Sequence, residues 1–278
     1  MPQTSCYICK SKQHSPFVSI QNNLHNKSFT IVECSCGFHY LNPRPEEQKM
    51  KGYYNVTDYH PHSRGKGLIY FLYNLVQRIT FKLKYRVLRK YLNKDIKHLD
   101  YGGGDGKFSK YLNSYRCIFS RSFDPYFNDL DSTDFKEKSF NAITLWHVLE
   151  HVYDLDILFN DMEKLLSNSG KLFVAVPNIN AIEREYFNNH WAAYDLPRHL
   201  YHFSSKSLEK LLIDKGYRII NKKRMLFDTF YISILSAKGI SNPQVIKSIF
   251  LSIFISIKVI IKGPHLSSSL FYICEKDN

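Results

Sequence analysis

Residues 96–108 read IKHLDYGGGDGKF. A short apolar run ends in Asp100, glycines follow at Gly102, Gly104 and Gly106, and an amphipathic segment then begins. That order is a strand, a glycine-rich turn and a helix start, which lets a backbone come close to a nucleotide-like ligand. The spacing narrows the ligand. A dinucleotide fingerprint, G-x-G-x-x-G, requires glycine where this chain has Lys107, and a phosphate loop requires Ser or Thr where it has Phe108. The loop therefore suits an adenosine ligand without a pyrophosphate.

Outward from this loop, strand-like and helix-like segments alternate from Asp95 onward. The pattern predicts an α/β fold with a mostly parallel sheet and flanking helices. Strands are expected at 96–101, 117–123, 142–147, 171–176, 217–226 and 268–275. Helices are expected at 106–114, 154–166, 205–215 and 244–262. Leu155, Leu158, Phe159, Met162, Leu165 and Leu166 share one helical face. Ser169-Gly170 reads as the end of that helix, and Pro177 as the end of the strand after it. Residues 178–203 read as a long polar and aromatic stretch.

The string L-D-Y-G-G-G-D-G resembles the first motif of class I S-adenosylmethionine-dependent methyltransferases, L-D-x-G-x-G-x-G. The resemblance implies a Rossmann-like sheet and S-adenosyl-L-methionine as cofactor. It places Asp100, Tyr101, Gly102, Gly104, Gly106 and Trp146 at the donor. For this donor the ribose diol needs a carboxylate at the end of the second strand, and Asp124 stands there, 24 residues after Asp100. The chain then departs from the family. Only 16 residues separate Asp124 from Phe140, where a helix and a strand usually intervene. Residues 128–133 read as a shortened remnant, with Asp131 or Asp134 near the adenine, and Asn141 stands where the family often has Asp.

The chain has 278 residues, enough for one sizeable α/β domain and a small appendage. Its formal charge of +13 is compatible with nucleic acid, an anionic membrane face or a phosphorylated substrate, and equally with solvated lysines. Residues 1–10 are polar and show no secretory signal, which predicts a cytoplasmic protein. Three zones are expected: 1–50 as a zinc-ribbon-like domain, 51–92 as a linker with a basic aromatic helix, and 93–278 as the methyltransferase domain.

Of six cysteines, four fall in close pairs, Cys6-x-x-Cys9 and Cys34-x-Cys36-Gly37. Two chelating turns with thiolate ligands predict a closed, structural zinc site. The second pair is one residue shorter than in the usual ribbon, so His39 or His14 can stand in for a thiolate. The run C-x-x-C, C-G, F-H-Y-L-N-P-R-P resembles the zinc-binding leader that precedes some bacterial methyltransferase domains. That leader recurs in enzymes acting on sugars and surface-polysaccharide precursors.

Two clusters are candidates for the chemistry. Trp146-His147-Val148-Leu149-Glu150-His151 follows a predicted strand, where α/β sheets place ligands. It resembles the L-E-H motif of many small-molecule methyltransferases. His147, Glu150 and His151 are open to three roles: general base or substrate contact, a divalent-metal trio as in quinone-biosynthesis relatives, or a structural network. Residues 197–204, P-R-H-L-Y-H-F-S, resemble a second signature of the group. Arg198 can hold a carboxylate or phosphate and His199 can act as base; alternatively Asp195, Arg198 and Ser204 pair and cap one another.

Gly67–Leu92 interleaves aliphatic and aromatic residues with lysine and arginine, and residues 245–261 are more apolar. Both read as packed helices, and together they leave peripheral contact with an inner membrane face open. The function expected is O- or C-methylation of a sugar or glycan precursor. The rivals are a nucleic-acid methyltransferase, for which no firm sign exists, and a non-catalytic zinc-bearing interaction protein.

Overall fold

The computed structural model describes residues 1–22, 26–54, 68–92, 95–114, 118–125, 134–238 and 242–277. The residues expected near the adenine at 128–133, Asp131 among them, lie outside these, as does Gly67. In chain order the strands are β1 (His14–Asn22), β2 (Lys27–Cys34), β3 (His39–Leu41), β4 (Ile96–Tyr101), β5 (Ile118–Phe123), β6 (Phe140–Trp146), β7 (Leu166–Pro177), β8 (Tyr201–His202), β9 (Tyr217–Arg224) and β10 (Ser269–Lys276). The helices are α1 (Glu47–Tyr54), α2 (Leu68–Tyr91), α3 (Lys107–Asn113), α4 (Leu155–Leu165), α5 (Ile182–Phe187), α6 (Ser205–Asp214), α7 (Leu226–Lys238) and α8 (Asn242–Lys262).

A six-stranded sheet has the order β5-β4-β6-β7-β10-β9, with β4 parallel to both β5 and β6 and β10 antiparallel to β9. A four-stranded sheet has the order β1-β2-β3-β8. The α/β class, the mostly parallel sheet and the flanking helices are as the sequence predicts. The boundary between α4 and β7 is not, because β7 already begins at Leu166, before Ser169-Gly170. The stretch 178–203 is also more ordered than its composition suggests. It contains α5 and short 3-10 turns at Asn188–His190 and Ala192–Tyr194.

The chain forms two compact units that cut across the three zones read from sequence. The first comprises Met1–Tyr53, His147–Leu155 and Val174–Asn278, and the second Tyr54–Trp146 and Asp156–Phe173.

In the second unit, β6 buries Ala142, Ile143 and Leu145 completely, without the alternation of a half-exposed strand. Helix α2 packs against α3: Phe81 lies 5.4 Å from Phe108 and 5.5 Å from Tyr111, ring to ring. The described part of the basic helix is thus a packed element. A polar chain runs through the sheet. Thr144 Oγ1 donates to Asp100 Oδ1 at 2.7 Å, and His98 Nε2 lies 2.9 Å from the same hydroxyl. With the threonine proton committed to Asp100, His98 must donate from Nε2, so its Nδ1 accepts from Ser120 Oγ at 2.7 Å. Burial pushes the His98 pKa down to about 3, so the ring is neutral, as this pattern requires.

In the first unit, β3 pairs antiparallel with β2 and with β8, His39 opposite His202 and Tyr40 opposite Tyr201. Phe38 stacks on Tyr201 at 5.9 Å and meets Phe203 at 5.6 Å. The cysteine-bearing segment is therefore built into the same sheet as the P-R-H-L-Y-H-F-S signature. Ser204 caps α6 in a reciprocal capping box with Ser207.

Replacing Thr144 with valine strips one bond from buried Asp100 and leaves the His98 Nε2 donor without its acceptor. We expect Thr144→Val to cost about 1–3 kcal/mol of folding free energy, read as a lower Tm in calorimetry with the fold retained.

Candidate functional site

Strand β4 ends at Asp100 and Tyr101, and the loop that follows takes three left-handed glycines, Gly102 at φ 73°, Gly104 at 55° and Gly106 at 71°. The amides of Gly102 and Gly103 donate to Phe123 O at 2.7 and 3.2 Å, which ties the loop to the end of β5. Gly104 N–H then donates to Asp124 Oδ2 at 2.9 Å. The two elements the sequence assigns to the donor are thus joined directly. A carboxylate at this position is the group that accepts ribose hydroxyls in an adenosine site.

Gly103, which spacing alone did not single out, carries a steric requirement. A Cβ there would sit 2.7 Å from Asp100 Oδ2 and collide with Ser122 Oγ. Burial pushes the Asp100 carboxyl up to about 6, against the opposing pull of the Thr144 hydroxyl and Lys84. Tyr101 is committed to the fold: its hydroxyl donates to Asp161 Oδ2 at 3.0 Å and its ring packs 4.8 Å from Phe123. Trp146 carries the Lys84 ammonium 4.1 Å from its ring centre and meets Phe108 edge-on at 6.2 Å.

The histidine cluster lies in the first unit and begins where β6 ends. His147 adopts φ 57°, an unusual conformation for a residue with a side chain, and its amide donates to Ala175 O at 2.9 Å. The ring bridges two carboxylates, with Nε2 3.1 Å from Asp228 Oδ2 and Nδ1 3.4 Å from Glu150 Oε1. Burial pulls its pKa down, but the two carboxylates outweigh that and lift it to about 9. At neutral pH His147 is an imidazolium, which disqualifies it as a base in this arrangement.

His151 and His199 are built differently. His151 Nδ1 donates to Arg198 O at 3.1 Å and His199 Nδ1 donates to Ala193 O at 2.9 Å, so in each neutral ring Nε2 is the acceptor nitrogen. Burial and the neighbouring His199 push the His151 pKa down to about 4. The two rings stand 4.6 Å apart. Asp195 Oδ2 lies 3.6 Å from His199 Nε2, and its other oxygen accepts from Arg198 Nε at 3.0 Å. Arg198 thus forms the pair with Asp195 that the sequence left as an alternative.

Among the described residues, Glu150, His151 and His199 bring ligand atoms within 4.8 Å of one another. This group differs by one residue from the trio of His147, Glu150 and His151 considered from sequence. His147 sits between Glu150 and Asp228, and the signature residue His199 joins Glu150 and His151 in the compact group. One carboxylate and two imidazoles, each imidazole backed by a carbonyl, form a donor set able to hold a divalent transition ion. Asp228 carries no motif, and the sequence did not mark it. Nor did it mark Glu183 on α5, whose fully buried carboxyl is pushed up to about 7 by burial.

Among the cysteines, Cys6 and Cys36 sulfurs are 3.6 Å apart, Cys9 and Cys34 sulfurs 3.4 Å, and all four lie within 4.8 Å of one another. A tetrahedron with metal–sulfur bonds of about 2.3 Å has edges of about 3.8 Å, so the cluster is compatible with zinc. Each pair sits on a tight turn closed by a left-handed residue: Lys10 N–H donates to Cys6 O and Gly37 N–H to Cys34 O. Cys36 completes the set. Of the histidines considered in its place, His14 is engaged with Asn42 at 2.9 Å, and His39 is not among the residues that converge with the other three sulfurs.

A family model described as Methyltransferase domain matches residues 74–222, more than half of the chain, and the chain belongs to that family. It is a methyltransferase. An uncharacterized protein of Methanocaldococcus jannaschii is 28% identical over 171 residues, covering 57% of this chain and 72% of that one. Among solved structures, a SAM-dependent methyltransferase from Archaeoglobus fulgidus is 17% identical over 74% of this chain and 99% of its own, with a TM-score of 0.43. The [4+2]-cyclase SpnF is 16% identical over 72% of this chain and 82% of its own, with a TM-score of 0.48.

Folding raises the His147 pKa, so its stabilising contribution is complete below about 6.5 and is lost as pH climbs through about 9. About a third of the side chain meets solvent, which screens the pair and limits the size of the effect. We expect Tm to fall across that interval, and His147→Gln to flatten the fall; a proton-NMR titration of the ring should give its midpoint near 9.

Proposed function

We propose that the protein transfers a methyl group from S-adenosyl-L-methionine to an oxygen or carbon of a sugar or glycan precursor. The observation that carries the donor half is the Gly104–Asp124 hydrogen bond, which sets a carboxylate beside a glycine-rich loop. The residues fit this donor: Gly102, Gly104 and Gly106 keep the loop open, and Asp124 accepts the ribose hydroxyls. When bound, S-adenosyl-L-methionine supplies an electrophilic methyl on a sulfonium. The chain's task is then alignment, which can be worth about 7–11 kcal/mol, together with removal of a proton from the acceptor.

For the proton we assign His199. Its Nδ1–H is fixed by Ala193 O, which presents Nε2 as the basic atom, and Asp195 stands beside it to favour the imidazolium that forms. His151 is a poor rival because its environment opposes a positive charge, and His147 already holds its proton. The His151 ring packs edge-on against the His199 ring at 4.6 Å, and the Arg198–Asp195 pair holds the carboxylate in place. Glycan acceptors are favoured by the leader that the sequence resembles. Zinc on Cys6, Cys9, Cys34 and Cys36 is structural in this reading, because four thiolates leave no position for chemistry.

Calorimetry should detect S-adenosyl-L-methionine binding, and Asp124→Ala should weaken it about 10- to 100-fold, the loss of hydrogen bonds to a charged acceptor. His199→Ala should leave that affinity within about twofold while cutting methyl transfer to a sugar-nucleotide panel roughly 10²–10⁴-fold. Absence of donor binding, or unchanged turnover in His199→Ala, would refute the assignments. Elemental analysis should find one zinc per chain, and Cys34→Ser should abolish it.

A further inference from the structure

Helix α8 is apolar on two sides. Its inner side buries Ile255 and Val259 against Ile182 of α5, and Ser252 is also fully buried. Its outer side exposes Ile253 at 45%, Phe254 at 46%, Ile257 at 51%, Ile260 at 51% and Ile261 at 77%. At about 100° per residue, these five positions fall within one arc of roughly 120°. Scattered exposed apolar residues are ordinary, but a continuous stripe on one helix needs a cover.

The charge along this segment indicates what covers it. Residues 229–274 contain no Asp or Glu, and their four charged side chains are Lys238, Lys247, Lys258 and Lys262. The helical period places the lysine positions of α8 along a single border of the apolar stripe. At that border the Lys258 ammonium lies 4.4 Å from the Phe254 ring centre and donates to the Tyr186 hydroxyl at 3.3 Å. A cation resting on aromatic rings beside an isoleucine stripe suits the boundary between acyl chains and phosphates. Among the described residues no helix is long and apolar enough to cross a membrane, so the mode available to α8 is to lie on one.

We propose that α8 is an interfacial helix that docks the protein on an anionic lipid surface, with the Ile253–Ile261 face in the acyl boundary and the lysine border on the headgroups. A second copy of this chain would also cover apolar surface, but an antiparallel two-fold contact there would place the lysine positions of both copies on one side, without a carboxylate in the segment to oppose them. The proposal does not rest on the methyl acceptor.

The test is flotation of the full chain with vesicles of phosphatidylcholine alone and of phosphatidylcholine with about a third phosphatidylglycerol. The protein should float with the anionic vesicles at low salt and at least tenfold less with the neutral ones. Ile257→Ser/Ile261→Ser should cut binding to the anionic vesicles at least tenfold with Tm unchanged, because those side chains are exposed. Phe254→Trp should give a blue-shifted emission on adding anionic vesicles. Failure to float with anionic vesicles, or equal flotation in the isoleucine variant, would overturn the proposal. So would a dimer in light scattering that the isoleucine variant turns into monomers.

Discussion

The short pairing of β3 with β8 organises the histidine-bearing unit. Only two residue pairs form the ladder, Tyr40 with Tyr201 and His39 with His202. Its influence extends beyond them. Leu41 N–H donates to Leu200 O at 2.9 Å, and Leu200 N–H donates in turn to Glu150 O at 2.7 Å. Arg44 Nη1 donates to the Tyr201 hydroxyl at 3.2 Å, and the Tyr153 hydroxyl donates to Pro45 O at 3.0 Å. One side of this strand begins three residues after Cys36, and the other begins two residues after His199. The cysteine turns and the imidazoles are therefore held by one backbone framework, with Phe38 filling the space beneath it.

The glycine-loop unit depends on a different constraint, the burial of a carboxyl with almost no solvent contact. Asp100 is only 3% exposed, and the chain of hydroxyl and imidazole groups back to Ser120 gives one of its oxygens a strong donor. Without that chain the site would hold a buried charge without compensation, which is far more costly than a hydrogen bond is favourable. The same carboxyl dictates that position 103 be glycine, because any side chain there would meet it. A polar network three strands wide thus fixes the loop that approaches the donor.

Much of this was legible in the sequence, because it is written in local patterns. The glycines need left-handed backbone, the strand before them is apolar, and Asp124 follows the next apolar run; each is a short-range signal. The four cysteines announced themselves by pairing. What the sequence did not show depends on residues distant in the chain. Asp228 meets His147 across 81 positions and reverses the expected role of that histidine, making it a charged tether where a base was considered. Helix α7, on which Asp228 sits, was not anticipated, because Leu226–Lys238 is rich in aromatic and β-branched residues whose local preference is for strands. Packing against α8 overrides that preference. Gly103 was hidden between two glycines with more recognisable duties. His199 replaced His147 in the compact trio because strand β8 runs beside Glu150, a neighbourhood no spacing rule reports.

The sharing of one sheet by β3 and β8 bears on how such proteins can be rearranged. A leader joined by a flexible tether can be exchanged between relatives as a cassette. Here the leader donates a strand to the sheet that carries the imidazoles, and its aromatic residues form part of that sheet's core. A graft of another protein's cysteine segment would have to bring a matching partner for Tyr201 and His202, and a ring to replace Phe38. The two segments should therefore vary together across homologues, as a single inherited piece divided in sequence by about 160 residues.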